Sequence, residues 1–188
     1  MGTPSNRSVK GSVVIDYVRM VRATPDQPWD RYLLPEDMAL IKQMVLPGSW
    51  YPIGFFQRIG LAVFKLVAKE NNELLRAFGK SIADRLHADH PGMVSKDKPR
   101  NTLEKYIWIQ KRFYNFDAFN TEDQGPGRLL VHIYSLPEEV GIPVYIIQIS
   151  GMVERLIELS GHTFLGIKVT TANEPDRIIS TMDVSWQV

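Results

Sequence analysis

Apolar residues recur at helical spacing through most of the N-terminal part of the chain, then switch to alternation near residue 115. Between Gly11 and Ala23, Val14, Tyr17, Val18 and Val21 fall on one helical face, with Ser12 placed to cap it; residues 12–16 also fit a strand. Pro35-Glu36-Asp37 opens a second helix, since proline suits a first turn and acids favour the N-terminal dipole. This helix runs to about Val45 and stops at Pro47-Gly48. Trp50-Tyr51-Pro52 opens the longest helical stretch, which is apolar on more than one face and therefore predicted to lie deep. Asn71 and Asn72 interrupt it, and amphipathic helices follow at 73–87 and 102–113.

The period then changes. Residues 115–120 alternate around Phe116 and Phe119, and 128–134 read R-L-L-V-H-I-Y, with turn chemistry from Glu122 to Gly127 between them. Pro143 starts a last helix with a wide apolar stripe, which Gly161 stops. Strands at 163–170 and 178–186 close the chain around Asn173-Glu174-Pro175-Asp176. These elements predict an α+β protein: a helical N-terminal part followed by an antiparallel sheet of β-β-α-β-β order, covered by one apolar helix. Residues 1–10 read as a flexible arm and 11–188 as a single domain.

Composition removes several classes. The chain has 188 residues and no cysteine, so disulfides, thiol nucleophiles and thiolate zinc sites are excluded, as suits a reducing cytoplasm. A net charge of +1 supplies no global field for nucleic acid. The longest apolar runs are interrupted by charges and predict no membrane insertion, and the polar start is no secretory signal.

No complete catalytic motif stands in the sequence. His87 and His90 are spaced to share a helical face, as a two-imidazole metal site requires, but Pro91-Gly92 ends the helix and no third ligand is evident. A solvated helix end accounts for them, and no metal is expected. Lys96, Lys98 and Arg100, continued by Lys105, Lys111 and Arg112, are candidate anion-binding residues or simply a solvated face. Glu154 and Glu158, four apart, have the spacing of an acid–base pair or of a polar helix edge. Gly151 leaves a notch in a helix where glycine costs about 1 kcal/mol against alanine, so a ligand or a close helix–sheet contact is expected there.

Several short motifs together carry a resemblance: Lys10-Gly11-Ser12-Val13, Trp50-Tyr51-Pro52, Ala77-Phe78-Gly79-Lys80, Gly151 and Glu154, Gly161, and the terminal Val184-Ser185-Trp186. Over roughly Lys10 to Trp186 the pattern resembles a paralogous family of uncharacterised myxobacterial proteins. Its fold is related to heme–nitric-oxide-binding (H-NOX) domains, vinyl-reductase-type small-molecule-binding domains and Bet3-like trafficking subunits. The resemblance implies a C-terminal sheet with a hydrophobic ligand cavity or a dimer-forming face. H-NOX proteins hold heme propionates with tyrosine, serine and arginine at alternate positions; here Tyr134 is followed by Leu136 and Glu138, and 102–113 offers no histidine. No heme and no other cofactor is expected.

The resulting expectation is a non-enzymatic bacterial sensory or adaptor domain binding an apolar small molecule or a protein partner. A homodimeric interaction protein in signalling or assembly is the alternative, and a small enzyme using a carboxylate or histidine pair the third. The candidate ligand-binding residues are Trp50, Tyr51, Phe55, Trp108, Ile147, Gly151 and Met152.

Overall fold

The computed structural model describes residues 6–188. Val9 is fully buried, and its strand β1 (Ser8–Lys10) pairs antiparallel with β2 (Trp50–Pro52). Both differ from the sequence expectation. Ser8–Lys10 is no arm, because Val9 enters the core and the Ser8 amide donates to Asn115 Oδ1 at 2.7 Å; residues 1–5 of the expected arm lie outside the described residues. Trp50-Tyr51-Pro52 extends rather than starting a helix, because its partner strand comes from forty residues upstream, beyond the reach of a local pattern.

Helix α1 (Gly11–Ala23) begins directly after β1. Ser12 does not cap it through its side chain; the Gly11 and Ser12 amides donate to the Ser49 and Pro47 carbonyls at 2.9 and 3.0 Å. Helix α2 (Pro35–Lys42) starts at its proline as expected, and Asp37 is buried there. Its carboxylate accepts from the Leu34 amide at 2.9 Å and from Arg58 of α3 (Ile53–Leu66) at 2.6 and 2.7 Å. This charge-assisted fork ties α2 to α3. Asn71 caps α4 (Asn72–Asp89) by accepting from the Glu73 and Leu74 amides. Helix α5 (Pro99–Gln110) starts at its proline, three residues earlier than the apolar pattern, and tightens into a 3₁₀ turn at Lys111–Phe113.

The C-terminal half is the β-β-α-β-β arrangement: β3 (Phe119–Asp123), β4 (Arg128–Ser135), α6 (Ile142–Leu159), β5 (Phe164–Asn173) and β6 (Ile178–Trp186). The sheet is antiparallel in the order β3-β4-β6-β5. Strand β3 lies later than expected and takes in Glu122 and Asp123, so the turn is confined to Gln124–Gly127. Cross-strand partners Leu129 and Val184, and Val131 and Met182, are buried on one face. That face joins one core with Leu103, Tyr106 and Ile107 of α5 and Ile149, Val153 and Leu156 of α6. Covering by α5 as well as α6 is the helical layer of the fold. Cover gives out at the edge strand, where Val169 is 41% exposed although its partner Met182 is buried. The opposite face is polar, with Arg128 gripping Asp183 through two bonds at 2.7 and 2.6 Å. No helix among the described residues is long and apolar enough to cross a membrane.

Helices α4 and α6 cross with almost no gap. A Cβ at Gly151 would lie 2.1 Å from the Arg76 carbonyl oxygen, and one at Gly79 would lie 2.1 Å from that of Gln148. Gly151 is therefore explained by a helix–helix approach, not by a helix–sheet contact. Beside the crossing, Glu154 accepts from Arg76 at 2.5 Å and Lys80 at 2.6 Å.

Candidate functional site: an aromatic cleft with amide groups

Next to this crossing, α1, α4, α5 and α6 leave a cleft of about 330 Å³. Its walls are apolar and aromatic, including Tyr17, Phe78, Ile82, Phe113 and Met152. Helical periodicity delivers these side chains: Phe78 and Ile82 are one turn apart on α4, as are Gln148 and Met152 on α6. Tyr17 meets Phe56 and Phe78 edge-on, with centroids 5.8 and 5.7 Å away.

Polar atoms converge at the inner end. The Tyr17 hydroxyl donates to Gln148 Oε1. Among the described residues the Tyr106 hydroxyl has only the Met152 thioether as acceptor, at 3.4 Å. Tyr145 and Tyr114 share a hydrogen bond of 2.5 Å between their hydroxyls. Burial pushes the phenols of Tyr17, Tyr106, Tyr114 and Tyr145 above their ordinary pKa, so all four stay protonated in the fold. Gln110 also lines the cleft.

Tyr17 and Tyr145 line both the cleft and a neighbouring narrow pocket of about 30 Å³. Arg7 and Glu139 also line that pocket, paired at 2.9 Å. Arg7 also donates to the Tyr134 carbonyl at 3.0 Å and lies 3.5 Å from the Phe116 ring centroid. Burial pulls the Arg7 pKa down; it raises that of Glu139, against the lowering effect of Arg7.

The residues singled out in the sequence scatter. Met152 lines the cleft. Gly151 is at the α4–α6 crossing and Ile147 packs beside it in a small cluster with Phe64, Leu75 and Val144. Phe55 is core, and the Tyr51 hydroxyl accepts from the Leu46 amide at 3.0 Å. Trp50, 47% exposed, lies under the Lys10 ammonium, and Trp108, 57% exposed, under the Arg112 guanidinium. Arg100 is occupied by Asp123 and the Gly125 carbonyl. Glu154 is desolvated, yet its bonds to Lys80 and Arg76 hold its carboxyl below the ordinary range. That environment favours a permanent carboxylate over a proton donor. No group of three or more metal-ligating side chains occurs among the described residues, and exposed His90 ends α4 at the cleft mouth. Sequence reasoning missed Tyr17, Tyr106, Gln110 and Gln148. The usable signal was a pair of glutamines inside otherwise apolar helical faces.

No family model matches the chain. No curated protein matches it either. Solved structures do. A single-residue mutant of the T. tengcongensis H-NOX domain superimposes with a TM-score of 0.62 at 13% identity, covering 95% of this chain and 98% of that one. An oxygen-binding H-NOX domain related to soluble guanylate cyclases, solved as its oxygen complex, gives 0.60 at 13% identity over 95% of each chain. A Cs H-NOX mutant gives 0.61 at 13% identity, covering 95% and 97%. The fold is that of the H-NOX domains.

Heme is the group this fold brings to mind, and the donor set does not fit it. Of the four histidines, His90 alone among the described residues lines the cleft, at its exposed mouth; His87 does not line it, His132 faces Thr181 and Glu122 on the polar side of the sheet, and His162 follows α6 beside the Ser160 carbonyl. Two guanidinium groups lie beside Tyr134, that of Arg7, which Glu139 engages, and that of Arg177, which Glu174 engages.

Proposed function

We propose that this chain is a non-heme sensory domain of H-NOX fold, which binds an apolar small molecule in the cleft between α1, α4, α5 and α6. The observation that carries the reading is a concave, aromatic-walled cleft of about 330 Å³ with uncharged polar groups at its inner end and ionic groups at its mouth. The reading involves no chemical step, since the paired carboxylates Glu154 and Glu158 are held by Lys80. Thermal unfolding with a panel of apolar compounds tests it. A ligand at a hundred times its Kd adds about 2.7 kcal/mol and raises Tm measurably. Ile82→Trp, which fills the cleft, should abolish that rise while leaving a folded protein. A panel without any shift rejects the proposal.

One surface favours a second, adaptor-type reading. Residues 96–112 hold six cations and two acids in a chain of net charge +1. Trp108 stands exposed among them beside a groove lined by Met93, Ile109 and Phe113, with Lys105 and Arg112 at its rim. This combination suits an acidic segment of a partner protein carrying one apolar anchor. A Glu-rich synthetic peptide with a single leucine should quench Trp108, weaken with salt, and lose at least tenfold in affinity for Arg112→Glu. Equal affinity for that variant would discard the reading.

A further inference from the structure

The cleft's polar end also specifies what kind of molecule enters, an inference that rests on the small-molecule reading above. Gln148 is 5% exposed and Gln110 8% exposed, from α6 and α5 respectively, and both line the cleft. The Oε1 of Gln148 is taken by the Tyr17 hydroxyl, which leaves its Nε2 protons facing the cleft without a protein acceptor among the described residues. The side chain of Gln110 has no hydrogen-bond partner among the described residues. Neither glutamine has an N or O atom among the fully buried unpaired ones, so both amides open onto the cleft space, and with the Gln148 oxygen engaged by Tyr17 the amide protons are the groups offered there to an occupant that accepts hydrogen bonds. Tyr106, whose proton goes only to a thioether, is a third donor available to the same occupant.

Charge is absent from this inner end. The ionic groups are at the mouth: Asp16 and Arg85 bind each other across α1 and α4, with Asp89 and His90 beside them. A carboxylate or ammonium ligand would therefore lose its hydration without meeting a free counter-charge. We propose that the cleft selects a neutral, largely hydrocarbon molecule bearing a carbonyl oxygen, which Gln148 and Gln110 read through their amide protons.

Calorimetric titration of the full chain with 2-acetylnaphthalene, 2-ethylnaphthalene and 2-naphthoate tests this. The three probes share ring and size and differ in the group presented to the amides. The ketone should bind about tenfold more tightly than the ethyl compound, and the carboxylate at least tenfold more weakly than the ketone at neutral pH. Gln148→Leu should bring ketone and ethyl affinities together while retaining ethyl binding. Gln110→Leu, which touches no protein hydrogen bond, should halve the ketone's advantage or better, and serves should Gln148→Leu not fold. Equal affinity of ketone and ethyl probes for the unmodified protein overturns the amide reading and leaves the cleft reading standing. Preferred binding of the carboxylate also overturns it. Absence of binding by all three, with no shift in Tm, removes the cleft reading and this inference together.

Discussion

Helix α6 meets its neighbours in two opposite ways. Where it crosses α4 it is sealed: Gly79 and Gly151 let the backbones touch, and Arg76, Lys80 and Glu154 close the flank. Toward α1 and α5 it is held off by large aromatic side chains whose polar tips do not fill the space between them. Close packing is the rule for protein interiors, and the glycine side obeys it. The contrast teaches that the cleft is not slack from poor packing, since the same helix is sealed next to it. It is a gap held open by residue choice.

The largest effect should come from disturbing the seal. A Cβ at either glycine collides with backbone rather than a movable side chain. Gly79→Ala combined with Gly151→Ala should therefore cost about 4 kcal/mol in denaturant unfolding. Phe113→Leu, in the cleft wall, should cost under about 1 kcal/mol. Comparable losses on the two sides would erase the distinction.

Next comes the Arg7–Glu139 pair in the neighbouring narrow pocket. Burial pushes both groups toward neutrality, so desolvation outweighs attraction. Arg7→Met alone leaves a buried carboxylate and should cost about 3 kcal/mol, whereas Arg7→Met with Glu139→Leu should return close to the unmodified stability. A double variant as unstable as the single one would show that the pair is a net stabilising contact.

Of the seven tyrosines, Tyr17, Tyr106, Tyr114 and Tyr145 have phenol pKa values raised by burial. A raised folded-state value contributes stability that is complete below the ordinary phenol pKa near 10 and lost as pH climbs through the folded value. Alkaline titration followed at 295 nm should show these four ionising only as the fold opens. Their ionisation with ellipticity unchanged would place them in contact with water.

The smallest effect is expected at Gln110. The Gln110 amide opens onto the cleft and makes no side-chain hydrogen bond among the described residues, so Gln110→Leu should change stability by less than about 1 kcal/mol. A loss of several kcal/mol would reveal a protein partner for that amide.

The α+β class, the strand order around α6 and the halt at Gly161 (φ +91°) were legible from hydrophobic period and turn chemistry, because those signals are local. The β1–β2 pair was not, since Val9 alone gives no period and its partner Tyr51 is distant in sequence. At the site, Met152 was legible as part of an apolar stripe. Aromatic content drew attention to Trp50 and Trp108, yet both lie at the surface under cations. Tyr17 and Tyr106 looked like ordinary core positions, and Gln110 and Gln148 like interruptions. Only the packing of four helices brings their polar tips to one place. The glycine notch was visible in sequence, but what fills it, a second helix with its own glycine, was not.

The central claim is that the space beside α6 receives a ligand, and intermolecular nuclear Overhauser effects test it most directly. With 2-acetylnaphthalene bound to methyl-labelled protein, ring protons should show cross-peaks to the Met152 and Ile82 methyls, which lie inside the cleft. Cross-peaks confined to surface methyls such as Met44 and Leu165, or none at all, would contradict the account.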